Sequence, residues 1–276
     1  CGTMNTSVSG HRGPADGMGA ASRTMVDDYL TTRNEVFAAL PDYLQGVLAA
    51  SPLAVLARSA ERSMRSVPTT PKGERTVEQI LDVTDEMFAT ADLDTITTNK
   101  VAELLGANVA TVYRYFDNLE SIVQMVSLRY EIRLHLMLAV LFEPIARVDD
   151  WRTELRSIVD AIARYRIASP SRPPIAAVLQ VKESYRPIAE ALTRTSGQLL
   201  GSILYRRRPE VELTAWFEIA KASSVILRSG MSAACVADPP DWTHIELIKQ
   251  ALERYFEPYV EAPVESLSIP GVALSA

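Results

Sequence analysis

The sequence predicts an all-α protein, on three observations. Glycine is scarce, at 12 of 276 residues, and no run reads as strands flanked by Gly-rich turns. Apolar side chains recur at three- and four-residue intervals over long stretches, the period of helices with one buried face. Prolines punctuate those stretches where helices would start or stop. With 47% hydrophobic and 22% charged residues the chain has ordinary globular usage. Its length suits two domains and a core large enough to fold without disulfides or metals.

The elements follow in order. Residues 1–24, rich in Gly, Ser, Ala, Thr and Met without apolar period, read as a disordered tail. Residues 25–73 read as a helical extension and linker. Val26, Tyr29, Leu30, Val36, Phe37 and Leu40 precede a break at Pro41; Tyr43, Leu44, Val47 and Leu48 precede a second at Ser51-Pro52; Leu53, Leu56 and Ala60 lead to about Arg65. The extension packs either on its own subunit or on a partner's, or is a poorly ordered addition. Val67 to Gly73, with Pro68 and Pro71, is the clearest linker. A long helix is expected from Glu74 to about Ala91, through Val77, Ile80, Leu81, Met87 and Phe88. Two short helices and a long one from Leu119 towards Leu141 follow, the last stopped by Pro144. Later helices are expected at 151–168, 184–206, 210–236 and 241–257, before a tail at 263–276.

Several functions are disfavoured. Cys1 and Cys235 have no Cys or His partner at metal-ligand spacing, which argues against a disulfide framework or structural zinc. The longest apolar stretch, near Leu136 to Phe142, is far short of the ~20 residues of a membrane span. Residues 1–24 lack the basic-then-apolar layout of a secretory signal. A reduced, cytosolic protein without membrane partner is the expectation. No Ser-centred elbow, Gly-rich phosphate loop or Cys–His signature appears, so neither an enzyme nor a cofactor is expected. The pairs Asp27-Asp28 and Asp149-Asp150 read as solvated helix starts, and the separated His11, His135 and His244 as structural. Arg206-Arg207-Arg208 reads as a helix C-terminus favoured by the dipole. The net charge of −6 argues weakly against nucleic acid, and the acid concentrates in residues 72–135, with eleven acidic against six basic side chains.

The informative run is Thr97 to Phe116. Thr97 can cap a helix whose apolar side is Val101, Ala102, Leu104 and Leu105. Gly106 supplies the positive φ that stops it cheaply. Asn108 can cap a second helix by accepting from the N–H of Ala110 or Thr111. Ala102 lets the two helices approach, and Val112 can fill the angle between them. This is a helix-turn-helix, whose second helix lies in the DNA major groove.

From about Arg75 to Val126 the chain resembles the DNA-binding domain of TetR-type transcriptional regulators. The resemblance rests on Met87-Phe88, Thr97-Thr98, Val101-Ala102, Gly106, Thr111 to Phe116, and Asn118 to Ile122 in ungapped order. Two positions depart from the family pattern: Asp92 where a turn Gly is usual, expected left-handed at modest cost, and Leu119 where a phosphate-supporting Lys is usual. The resemblance implies a helix-turn-helix domain over 74–118 and a ligand-binding, dimerising bundle over 119–262. Thr98, Thr111, Tyr113 and Tyr115, with Asn99 and Lys100, are expected to face phosphates. Asn108, Val109, Ala110 and Arg114 are expected at base edges, Arg114 on guanine and Val109 or Ala110 on a thymine methyl.

For the bundle, Tyr130, Leu134, Leu138, Trp151, Ile158, Tyr165, Leu179 and Tyr185 are candidate cavity lining, with a small, mostly apolar effector expected. Leu213, Trp216, Phe217, Ala220, Ser223, Ser224 and Leu227, over 210–236 and with 241–257, are the candidate homodimer face. The leading functional expectation is a ligand-responsive regulator, a repressor, on a near-palindromic double-stranded DNA operator. The acidic 72–135 segment and Leu119 support a second reading, a helical ligand-binding or protein-interaction module that binds DNA weakly or not at all.

Overall fold

The computed structural model describes residues 30, 34–92, 95–175 and 185–263. Among them the chain is helical without a strand. The helices are α1 (Glu35–Ala38), α2 (Asp42–Ala49), α3 (Pro52–Arg62), α4 (Pro71–Thr90), α5 (Thr98–Leu104) and α6 (Val109–Tyr115). They continue as α7 (Leu119–Phe142), α8 (Trp151–Ile167), α9 (Arg186–Arg207), α10 (Leu213–Ala234) and α11 (Trp242–Val260), with a 3-10 turn, Glu143–Ala146, after α7. Residues 1–24 and all but the first residue of the 263–276 tail, with Asp27-Asp28 and Leu179, lie outside the described residues.

α4 starts three residues before the expected Glu74. Pro71 sits at its first position and the Thr70 hydroxyl accepts from the Gly73 N–H at 3.2 Å, so the end of the linker is already helix. Asp92 also departs from expectation. Among the described residues no residue but glycine has a positive φ. Instead Ala91 turns to an extended conformation, and Thr95 donates to the Asp92 carbonyl from both its N–H and its hydroxyl.

The extension packs on the chain's own bundle: α3 lies against α7 and α9, and α2 against α9. Ser51 caps α3 through the Ala54 N–H. The next free donor, the Leu53 N–H, reaches the buried hydroxyl of Thr195 on α9 at 3.1 Å. A helix start that would leave unsatisfied N–H groups is thereby satisfied from another element. At its other end the Arg65 N–H donates to the Tyr115 carbonyl at 3.1 Å, joining the extension to the last residue of α6.

The bundle owes its closeness to small residues. A Cβ on Gly201 of α9 would fall 2.6 Å from Phe217 Cδ1 and 3.0 Å from the Phe217 N, so α9 and α10 touch almost backbone to backbone. Trp216, fully buried, donates its indole N–H to the Arg208 carbonyl. The triple arginine does more than complement a helix dipole. Arg207 binds the Ile145 and Val148 carbonyls, Arg208 those of Tyr259 and Ala262, and Arg206 lies 4.3 Å from the Tyr43 ring centre. α8 and α11 are orientated by ion pairs, Arg152 with Glu257 and Glu261, and Arg156 with Glu246 and Glu253.

Candidate nucleic-acid interface and bundle cavity

The helix-turn-helix is assembled from local hydrogen bonds. The Thr97 hydroxyl accepts from the Lys100 N–H at 3.1 Å. α5 ends with the Gly106 N–H on the Glu103 carbonyl and the Ala107 N–H on the Ala102 carbonyl, both 3.0 Å, the paired bonds of a Schellman motif. That motif requires a left-handed residue, and Gly106 has φ 66°. Asn108 Oδ1 accepts from the Ala110 N–H at 2.8 Å and starts α6. Ala102 and Val112 are buried where the helices cross. Asn118 and Ser121 cap each other at the start of α7.

On this frame Asn99, Asn108, Ala110, Tyr113 and Arg114 are exposed, and Lys100, Val109 and Thr111 half-buried. Thr98 is mostly buried, and its hydroxyl shares a 2.9 Å hydrogen bond with the Tyr113 hydroxyl, linking α5 to α6. Lys100 is paired with Glu103 at 2.7 Å on the surface. Tyr115 departs from its expected place. It is only 5% exposed, and its hydroxyl lies where a Cβ on Gly73 would stand 3.2 Å away, so it braces α4 and offers nothing to solvent. Phe116 is core. Leu119, in the first turn of α7, is half-buried against the core.

Part of the acid of residues 72–135 is engaged in ion pairs within the chain. Glu78 and Asp82 of α4 hold the buried Arg129 of α7 at 2.8 and 2.7 Å, and Glu131 pairs with Arg172 at 2.6 Å. Three of the eleven carboxylates thus serve joints inside the molecule. The Arg129 pair fastens the first helix of the helix-turn-helix unit to the first helix of the bundle.

A cavity lies among α7, α8, α9, α10 and α11. Of the candidate lining residues it includes Leu134 and Leu138. The other described candidates sit elsewhere. Tyr130 packs on Tyr165, ring centres 5.2 Å apart, under the Arg172 guanidinium at 4.1 Å. Burial raises both phenols, Tyr130 the more. Trp151 donates to Glu261, Tyr185 to the Glu120 carbonyl, and Ile158 is core. Burial pushes the Tyr185 phenol up to about 12.

The cavity wall has two characters. Phe142, Leu155, Val159, Leu199, Leu252 and Phe256 make it apolar over most of its surface. Glu131, His135, Arg166, Ser196 and Arg228 make one part polar. His135, fully enclosed, donates from Nδ1 to the Glu131 carbonyl at 2.8 Å, leaving Nε2 to accept from the Ser196 hydroxyl at 2.9 Å. Burial, above all, holds its imidazole below the ordinary value and neutral. The polar group was missed in the sequence because its members lie on four helices, with no spacing to announce them.

The expected dimer face is also redistributed. Trp216, Ala220 and Ser223 are buried in the chain's own bundle, and Ser223, Ser224 and Leu227 line the cavity. Leu213 is exposed as expected, and the other exposed large apolar side chains here are Val225 and Ile226 of α10, Trp242 and Leu247 of α11, and Val236 between the two helices.

A short helix, a Gly turn and an exposed second helix make up a helix-turn-helix unit, here joined to a cavity-bearing bundle. Residues 80–126 match the family model described as Bacterial regulatory proteins, tetR family. The chain carries a tetR-family DNA-binding domain and is in that respect a DNA-binding transcriptional regulator. No curated protein matches the chain. Among the described residues no helix is long and apolar enough to cross a membrane.

Proposed function

We propose that this protein is a cytoplasmic, ligand-responsive repressor that binds a near-palindromic operator as a homodimer, through residues 74–118, and senses a small molecule in the bundle formed by 119–262. The observation that carries the reading is the direct bracing of the helix-turn-helix unit on the cavity-bearing helix. α7 lines the cavity with Leu134, His135 and Leu138 and, within the same helix, grips α4 through Arg129. A ligand that shifts α7 therefore moves the recognition helix.

The roles on DNA follow from exposure. Asn108, Ala110 and Arg114 are free to meet base edges, with Val109 at their margin; Asn99, Lys100, Thr111 and Tyr113 are placed to meet phosphates, with Thr98 supporting the Tyr113 hydroxyl. Two copies would set their α6 helices ~34–36 Å apart, one turn of DNA. The exposed stripe Ala222, Val225, Ile226 and Ser229 of α10, beside Leu247 of α11, mixes bulky and small uncharged residues at helical spacing. It supports dimerisation there.

The test is fluorescence anisotropy with duplexes from the intergenic DNA upstream of the protein's own gene, paired with light scattering. A dimer with sequence-selective, salt-sensitive binding is expected. A monomer, or weak or absent binding to every duplex, would favour the module that binds DNA weakly or not at all, and equal affinity for scrambled duplex would remove the operator.

A further inference from the structure

Among the described residues the polar part of the cavity wall carries more positive than negative charge. Arg166, Arg172 and Arg228 approach it from α8, from the segment after α8 and from α10, and the carboxylate of Glu131 answers them. Glu131 is committed to Arg172 at 2.6 Å. Arg228 has one neutral partner, the Thr193 hydroxyl at 2.8 Å, and Arg166 has a buried Nε with no hydrogen-bond partner among the described residues. Two guanidiniums thus border one space whose wall is otherwise mostly apolar, with Glu131, His135 and the hydroxyls of Ser196, Ser223 and Ser224 as its other polar groups. A buried cation without a matching anion is costly, and a planar fork of N–H groups fits a carboxylate best.

We propose that the cavity takes a small amphipathic monocarboxylate, its carboxylate held by Arg166 and Arg228 and its apolar body lying towards Phe142, Leu155 and Phe256. This deepens the reading of the bundle as the sensing part and rests on it. Burial above all lowers the affinity of Arg228 for its proton, with Glu131 opposing and Arg166 assisting, so the nearby carboxylate does not fully offset the loss of solvent. His135 cannot supply a negative charge, and its two nitrogens are already bonded to the Glu131 carbonyl and Ser196. The cavity volume is about 70 Å³, room for about five to seven waters at ~10–15 Å³ each. It calls for a compact acid, not a long-chain one. The sequence-based expectation of a mostly apolar effector keeps its apolar body and gains a charged head.

Calorimetry on the full chain with octanoate and 3-phenylpropanoate, each against its own alcohol, with octylamine and acetate as controls, tests the proposal. At least one acid is expected to bind tenfold or more tighter than its alcohol, with octylamine and acetate failing to bind. Arg166→Met and Arg228→Met should each bring that acid down to the level of its alcohol while alcohol binding and the melting curve persist. An alcohol that binds as tightly as its acid, binding of neither acid, or variants that keep the preference would overturn it. Operator release is scored separately. An acid that binds without releasing DNA supports the site and removes the ligand-responsive reading; release by the alcohols alone does the reverse.

Discussion

The helix-turn-helix unit and the bundle are built on opposite principles, and two glycines show it. Gly106 is a matter of backbone conformation: it has φ 66° and open space around it, with nothing within 4 Å of where a Cβ would stand. Gly201 is a matter of distance: it has ordinary helical geometry, and its missing Cβ is the space through which α10 approaches α9. One region is specified by bonds between residues a few positions apart. The other is specified by surfaces brought together from distant parts of the chain. The first kind of specification can be read along a sequence, and the second cannot.

The largest expected effect tests the bundle side. Gly201→Val puts a branched carbon onto Phe217 and its backbone, where neither helix can yield without separating. We expect a loss of about 3 kcal/mol, the upper part of the usual overpacking cost, read as a fall in the urea midpoint. Wild-type stability would mean that α9 and α10 are less closely packed than described. Gly106→Ala sharpens the contrast. It meets no atom, so its whole cost is that of a left-handed L-residue, about 1–2 kcal/mol. An unchanged midpoint for this variant would place the turn elsewhere.

That contrast also accounts for what the sequence revealed. Thr97, Gly106, Asn108 and Asn118 bond to groups two to three residues away, so their roles were visible as spacing. Tyr115 was misplaced because its burial depends on Gly73 and on Arg65, more than forty residues distant. Trp216 and Ala220 were placed on the dimer face because small and bulky residues at helical spacing suit any close helix contact, and here the contact is with α9. Arg166 and Arg228 drew no notice among the other arginines, since only the fold makes them neighbours.

A third prediction concerns the polar part of the bundle. His135 is held below its ordinary value of 6.5 by burial, with Glu131 opposing and Arg228 assisting. As pH falls through 6.5 the unfolded chain takes up a proton that the folded chain refuses, so stability falls with pH in that window, by at most ~1.4 kcal/mol per unit. His135→Gln should remove this part of the decline. Melting temperatures of both proteins between pH 7.5 and 5.5 measure it, and parallel curves would show that His135 titrates as in the unfolded chain.

The smallest effect on stability belongs to Leu119→Lys, and it asks whether the helix-turn-helix unit meets DNA as its local geometry suggests. Asn118 caps α7, so residue 119 stands in the first turn, where backbone N–H groups point outward and would face a phosphate. Leu119 is half-buried, and a lysine stem can cover the same apolar surface while its ammonium reaches water. A cation at a helix start is opposed by the dipole, a cost of ~0.3–1 kcal/mol that should barely move the melting curve. The effect on DNA is of another kind. One added phosphate contact should steepen the plot of log K against log salt by about 0.9, and because phosphates carry no base information, operator and scrambled duplexes should gain alike. Titrations of both duplexes at several salt concentrations give the slope directly. A slope equal to that of wild type would mean that the start of α7 faces away from the backbone, and the assignment of Thr111 and Tyr113 to phosphates would fall with it.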